Sequence, residues 1–222
     1  ENETEYLLDK FNNSFIKNHQ NRNKLPENEK KIVEKKQRDF ILRCLESHVD
    51  KLSEIFAYWA AYYLEQGYGI EYTDDNEKQK DKKRSIELYK DAADRLHPDS
   101  TVRYAVHLMS NFNKIDEEEI KIKHRQDILH YLHIAADRGH SDAYFYLGDI
   151  FCYGKLGVNK EIGLGKAYLE TAIGSGNEKA NDKLIKFIKE SHESHANLEN
   201  ENDDLKDEIE KLKNELEQIL KE

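Results

Sequence analysis

The fold is decided by the stretch RGHSDAYFYLGDIFCYGKLGVNKE, residues 138–161. Small and large apolar residues occur along it at offsets 0, 4, 5 and 8, which places them on one face of a helix: Ala143, Leu147, Gly148 and Phe151. A turn with two glycines, Gly154 and Gly157, follows. A phosphate-binding loop would hold its glycines between a strand and a helix N-terminus, whereas a helical pattern precedes these glycines. The stretch therefore predicts a helix and a structural turn rather than a ligand site.

The same pattern recurs along the chain. After the turn, a second helical pattern carries Tyr168, Leu169, Ala172 and Ile173, and Gly176 closes it as a C-terminal cap. Equivalent first helices have their offset 0 at residues 56, 100, 143 and 180, so the units are 44, 43 and 37 residues apart. Repeats of this length are typical of stacked helix pairs, in which each pair buries its remaining face only against its neighbours.

The other units keep the apolar positions but differ in their turns. The first helices carry Phe56, Ala60, Ala61 and Leu64, then Ser100, Tyr104, Ala105 and Leu108, and finally Ala180, Leu184, Ile185 and Ile188. The returning helices carry Leu88, Tyr89, Ala92 and Ala93, then Tyr131, Leu132, Ala135 and Ala136. The first unit turns at GYGI, residues 67–70, and ends on Leu96 in place of a glycine. In the second unit the charged stretch NKIDEEEIKIK, residues 113–123, predicts a loop in place of the glycine turn.

This pattern resembles the Sel1-like repeat, a relative of the tetratricopeptide repeat, whose units read approximately A-x-x-x-L-G-x-x-Y-x-x-G-x-G-V and then W-Y-x-x-A-A-x-x-G. The resemblance covers residues 56–188 and is strongest in the third unit. It implies an all-α fold, a short right-handed solenoid of helix pairs, and a scaffolding role. Some bacterial members of the family have been linked to hydrolysis of β-lactams, but those carry a disulfide in each repeat. The two cysteines of this chain cannot supply that framework.

Three domains are predicted. Residues 1–50 contain two helical stripes of apolar residues, and they should cap the first repeat because the end of a solenoid needs cover. Residues 51–189 form the repeats. Residues 190–222 form a coiled coil that continues the last repeat helix, since neither glycine nor proline interrupts them.

The coiled coil is predicted from a heptad pattern. Its core positions are Leu198, Asn202, Leu205, Ile209, Leu212, Leu216 and Ile219. Isoleucine and leucine at these alternating positions favour two parallel strands, and a core asparagine fixes register when it faces its own copy. In the parallel pair Glu201 meets Lys206 of the second strand, and Glu208 meets Lys213. We therefore expect a homodimer, with a single amphipathic helix folded back on its own repeats as the alternative.

A partner-binding groove is predicted from first-helix positions that the repeat core does not use. Its residues are Trp59, Tyr62, Arg103, His107, Tyr146 and Asp149. Aromatic and arginine side chains are enriched at the energetic centres of protein interfaces. For Trp59 the alternative is packing against the N-terminal helices. The sequence thus favours a non-enzymatic adaptor, with a structural subunit of a larger complex as the alternative.

Composition argues against several other functions. A net charge of -10 disfavours nucleic-acid binding, and no apolar run reaches the roughly 18 residues that a membrane span needs. The pairs His130/His133 and His192/His195 have a spacing that suits metal ligands. We expect the first pair on a helix exterior and the second where the chain leads into the coiled coil, and we predict no metal or cofactor. Two distant cysteines indicate a cytoplasmic protein. The secretory pathway is the alternative, because the chain begins without methionine.

Overall fold

The computed structural model describes the backbone of residues 3–219 and the side chains in that range, apart from those of residues 52, 195–196, 198–203 and 212–219. This described part is helical and contains no strand, so the predicted all-α class is confirmed. The helices are α1 (Glu3–Lys10), α2 (Ile16–Asn21), α3 (Glu27–Glu46), α4 (Val49–Leu52), α5 (Glu54–Gln66), α6 (Asp75–Asp94), α7 (Pro98–Asn111), α8 (Glu118–Asp137), α9 (Ser141–Tyr153), α10 (Ile162–Gly174) and α11 (Glu178–Ile219). Short π- and 3₁₀-helical turns lie at Phe11–Phe15, Arg22–Lys24, Phe112–Lys114 and Lys155–Gly157.

The helices from α5 onward form the predicted pairs. α6 packs against both α5 and α7, α8 packs against α7, and α10 packs against α11. Most of the small and apolar repeat positions are buried, among them Phe56, Ala60, Ala61, Leu88, Ala92, Ala105, Leu132, Ala135, Leu147 and Leu169. Three others, Ile173, Ile185 and Ile188, are at least 36% exposed. The second helices α6 and α8 have 20 residues each and α10 has 13, which accounts for the shorter spacing of the last unit.

The joints between consecutive units are built alike. α6, α8 and α10 are each followed by a residue with positive φ, namely Leu96 (67°), Gly139 (77°) and Gly176 (84°). The backbone N–H of the next residue donates to the carbonyl oxygen five residues back, at 2.9, 3.0 and 2.9 Å respectively. These bonds satisfy carbonyl groups that the helix end leaves open. Leu96 therefore adopts the left-handed conformation that glycine provides at the other two joints.

Replacing Leu96 with glycine is expected to raise the free energy of unfolding by up to about 1 kcal/mol, because the left-handed region is strained for an L-residue. Leu96 is 41% exposed, so the burial that its removal loses offsets only part of this gain. Gly139→Ala is the matched control, since a Cβ there would meet no atom within 4 Å. It should lower the free energy of unfolding through backbone strain alone. Urea unfolding measures both variants. A less stable Leu96→Gly protein would contradict the strain argument.

The turn of the second unit is shorter than the predicted loop. α8 begins at Glu118, so only residues 115–117 of the stretch 113–123 lie outside helical structure. Glu118 and Glu119 lie in the first turn of α8, where carboxylates interact favourably with the helix dipole. The acidic run therefore starts the helix, and the prediction of a loop over it is wrong.

The N-terminal segment packs on α5 and covers the first unit. The Phe15 ring centroid lies 5.2 Å from that of Tyr63, and the Phe11 ring meets Phe56 edge-on at 5.1 Å. Contacts group the chain into two compact units, Glu1–Leu147 and Gly148–Glu222. The three-domain division at residues 50 and 189 stays a prediction.

α11 runs without a break through the predicted heptads. In the single chain Leu205 is 55% exposed and Ile209 is 52% exposed. The side chains of the other predicted core residues lie outside the described ones: Leu198, Asn202, Leu212, Leu216 and Ile219. The coiled coil itself stays a prediction.

Candidate partner-binding surface

Arg103 is held in place by aromatic rings and a carboxylate. Its guanidinium carbon lies 5.1 Å from the centroid of the Tyr62 ring and 5.7 Å from that of Tyr89. Arg103 Nη1 donates to Glu65 Oε2 at 3.1 Å, and the Tyr89 hydroxyl donates to the same oxygen at 2.9 Å. Burial raises the pKa of Tyr89, so its hydroxyl stays protonated and can donate. The Arg103 side chain is still 37% exposed. These four residues, the Arg103 cluster, present a fixed cation at a partly open surface.

Trp59 packs against the N-terminal segment, as the alternative interpretation of the sequence had it. Its ring lies 4.6 Å from that of His19 and 6.1 Å from that of Phe15. Tyr62, on the same helix, lies 5.9 Å from Trp59 and 5.8 Å from Tyr68. Trp59 is thus part of the cover of the first unit. A partner contact at its exposed part stays a prediction.

His107 lines a depression of about 450 Å³ beside the Arg103 cluster. Glu65 lines this depression as well as holding Arg103, and Lys78 and Lys82 of α6 line another part of it. Burial, followed by the positive charge of Lys82, lowers the pKa of His107. The imidazole is therefore neutral at neutral pH and can accept or donate a hydrogen bond.

The two groove residues on α9 have different surroundings. Asp149 is buried, its Oδ2 accepts from Lys155 Nζ at 2.5 Å, and its Oδ1 lies 2.7 Å from Lys183 Nζ. Tyr146 is half-buried, with its ring 5.3 Å from that of Phe145. Asp149 therefore stabilises its own unit, and its burial gives no support to the prediction of a partner contact.

A buried hydrogen-bonded chain in the N-terminal segment was not predicted from the sequence. The Tyr63 hydroxyl donates to Gln37 Oε1 at 2.5 Å and lies 2.8 Å from His19 Nδ1, which therefore donates to it. His19 Nε2 lies 2.6 Å from Arg22 Nη1, and Arg22 Nε donates to Glu34 Oε1 at 3.2 Å. All five residues are at most 8% exposed. They come from three separate segments, so no local spacing could have indicated the chain.

This arrangement predicts a loss of stability in acid. Burial, followed by the charge of Arg22, lowers the pKa of His19 to about 4, whereas an unfolded histidine titrates near about 6.5. Between these values the unfolded state binds more protons, so the free energy of unfolding falls as the pH drops. The expected contribution is up to about 3 kcal/mol between pH 6.5 and pH 4.

Comparison with His19→Gln isolates this effect, because burial lowers the pKa values of His97 and His107 in the same direction. Urea unfolding at several pH values should show a smaller loss for the variant than for the parent. Equal losses would assign the acid sensitivity to other groups.

A metal centre or a reactive cysteine thiol would be a possible catalytic group in the described part of the chain. No group of three or more His, Cys, Asp or Glu residues within it is placed to hold a metal ion. Cys44 and Cys152 are free and buried. Burial raises the pKa of Cys44 to about 12 and also raises that of Cys152, so both thiols stay protonated and are poor nucleophiles. No described helix has the length and apolar character needed to cross a bilayer.

No protein-family model and no curated protein matches the sequence. Solved structures with a similar fold include two Sel1-like repeat proteins. The Sel1 repeat protein from Oxalobacter formigenes is 18% identical, with a TM-score of 0.52, over 68% of this chain and 54% of that one. The protein c5321, a protective antigen of uropathogenic Escherichia coli strains with an SLR (Sel1-like repeat) fold, is 17% identical, with a TM-score of 0.53, over 68% of this chain and 28% of that one.

The matches thus span about half or less of the length of these two proteins. The chain is a helical-repeat protein built from consecutive helix pairs. Its fold is that of the Sel1-like repeats, which confirms the fold that the sequence pattern predicted.

Proposed function

We propose that this chain is a non-enzymatic adaptor that binds a partner protein at the Arg103 cluster and joins two copies through α11. The Arg103 cluster carries the first part of the proposal. A guanidinium held by two rings and a carboxylate loses little side-chain freedom when a partner binds, so a preformed contact costs less entropy. A partner carboxylate can share the guanidinium with Glu65, because arginine has five N–H donors.

The neighbouring depression extends this surface. A segment that contacts Arg103 can reach the neutral His107 and the ammonium groups of Lys78 and Lys82 across Glu65. Because three of these groups are cations, we expect the partner segment to carry acidic residues. The protonated, buried state of both cysteines supports a binding role over a catalytic one.

Dimerisation is supported by the exposed apolar residues of α11. Leu205 and Ile209 belong to the predicted core positions of the coiled coil, which together form its seam. Both remain more than half exposed in the single chain. A helix folded onto its own repeats by this stripe would bury them. A second copy in parallel register would cover them and pair Glu208 with Lys213.

Peptide selection tests the partner site. Random peptides displayed on phage are selected against the full chain, and the binders are then measured on Arg103→Ala and on the matched control Arg43→Ala, an exposed arginine on α3. We expect Arg103→Ala to weaken the selected peptides at least about tenfold, as for interface hot spots, and Arg43→Ala to leave them unchanged. Peptides that bind the parent and both variants equally would place the partner site elsewhere.

A further inference from the structure

The fourth repeat unit departs from the other three at the position where paired helices cross. Offset 5 of the first helix is Ala61, Ala105 and Gly148 in the first three units, and all three are buried. In the fourth unit it is Ile185, which is 44% exposed.

The third unit shows what this position normally contacts. A Cβ added to Gly148 would lie 2.7 Å from Leu169 Cγ of the returning helix α10. Three residues further on, the Phe151 ring stacks at 6.0 Å on Tyr168 of the same helix. Offsets 5 and 8 therefore face the returning helix, and an isoleucine at offset 5 leaves no room for a crossing as close as this one.

No described helix returns over the corresponding face of α11. The opposite face packs inside its unit, where the Phe187 ring lies 5.3 Å from that of Tyr153 and the Tyr153 hydroxyl donates to Glu190 at 2.9 Å. Offset 8 of the fourth unit is Ile188, which is 36% exposed. The repeat therefore ends on an apolar face formed by Ile185 and Ile188.

This face is in register with the predicted coiled-coil seam. Continuing the heptad pattern from Leu198 toward the N-terminus, in alternate steps of three and four residues, gives core positions at residues 195, 191, 188 and 184. The last three of these positions hold Ser191, Ile188 and Leu184. Ile185 lies three residues before Ile188 and therefore on the same side of the helix. The seam would thus begin within the repeats, and α11 is one continuous helix over this whole length.

We infer that a second copy of this chain covers Ile185 and Ile188, so that its α11 takes the place of a returning helix, which the described residues do not supply for the fourth unit. This inference rests on the proposed dimer. Continuity of register favours a second copy over an unrelated partner, because the helix that covers Leu205 and Ile209 already lies in line with Ile188. A seam from residue 184 to residue 219 is also about five heptads long instead of about three, which suits a stable two-stranded coiled coil.

Cysteine cross-linking tests the inference in the full chain. Ile188→Cys and Leu205→Cys place thiols on the seam, and Lys189→Cys is the matched control on an exposed neighbouring position off the seam. Cys44 and Cys152 are fully buried, so the parent should give little background. Under mild oxidation we expect Ile188→Cys and Leu205→Cys to form a covalent dimer in comparable yield, several times that of Lys189→Cys.

The outcomes separate the two proposals. If Leu205→Cys cross-links but Ile188→Cys does no better than Lys189→Cys, the proposed dimer is supported and the inference is overturned. Ile185 and Ile188 would then contact another partner or water. If neither seam cysteine cross-links above Lys189→Cys, the proposed dimer fails with it.

A double variant gives an independent measure. Ile185→Ser with Ile188→Ser should raise the dimer dissociation constant at least about tenfold, because each dimer loses four apolar side chains from its seam. Ile162→Ser with Leu164→Ser is the matched control, since these residues are 47% and 39% exposed but lie on α10. Sedimentation equilibrium measures both. An unchanged dissociation constant in the Ile185/Ile188 variant would overturn the inference.

Discussion

Replacing Gly165 with alanine should lower the free energy of unfolding by about 2–3 kcal/mol, the size of a typical overpacking penalty. A Cβ at this position would lie 2.6 Å from the backbone nitrogen of Cys152 and 2.6 Å from its Sγ. Because the obstacle includes backbone, a rotamer change cannot relieve it. Gly148→Leu should act in the same direction at the same crossing, since even a Cβ there would lie 2.7 Å from Leu169 Cγ.

The same helix supplies the control. A Cβ added at Gly163 would meet no atom within 4 Å, so Gly163→Ala should stabilise the protein by up to about 1 kcal/mol through helix propensity. Urea unfolding followed by circular dichroism measures the three variants. If Gly165→Ala unfolds at the same urea concentration as Gly163→Ala, α9 and α10 do not cross as closely as described.

Deleting residues 197–222 should abolish dimerisation and leave the repeats folded. Most repeat positions are buried within the chain, whereas Leu205 and Ile209 are more than half exposed until a second helix covers them. The short stretch of seam that remains in the repeats is too small to hold two chains together by itself. Light scattering should report a monomer for the truncated protein and a dimer for the parent, with similar thermal unfolding of the repeats.

Asn202→Leu is the companion variant. It should stabilise the coiled coil but allow several oligomeric states, because a core asparagine limits alternative registers and higher assemblies. A parent protein that is monomeric at every concentration would contradict both the proposed dimer and the extension of its seam to Ile188.

The repeat architecture could be predicted because it depends on local spacing. Offsets of four and five residues place Leu147 and Gly148 on the same helix face as Ala143, independently of the rest of the chain. Leu96 could be recognised as a departure from the pattern, but its left-handed backbone could not, since leucine rarely adopts that conformation. The start of α8 was misplaced because an acidic run suits both an exposed loop and the first turn of a helix.

The candidate site was less predictable. Arg103 and Tyr62 follow from first-helix positions outside the core, yet the carboxylate that holds Arg103 was not foreseen. Asp149 occupies an equally suitable position in sequence, but two lysines from other parts of its unit enclose it. The chain from His19 to Glu34 depends on the approach of segments that the sequence keeps apart, and only the folded structure brings them together.

The lengths of the second helices have a consequence for recognising diverged repeats of this kind. α10 is seven residues shorter than α6 and α8, and the missing residues precede its repeat positions Leu169 and Ala172. Seven residues make nearly two full turns, so their removal rotates the buried face by only about 20°. A five-residue change would rotate it by about 140° and turn the alanines toward water. A sequence search for such units should therefore allow the second helix to be of full length or seven residues shorter before its repeat positions. It should penalise deletions of intermediate length.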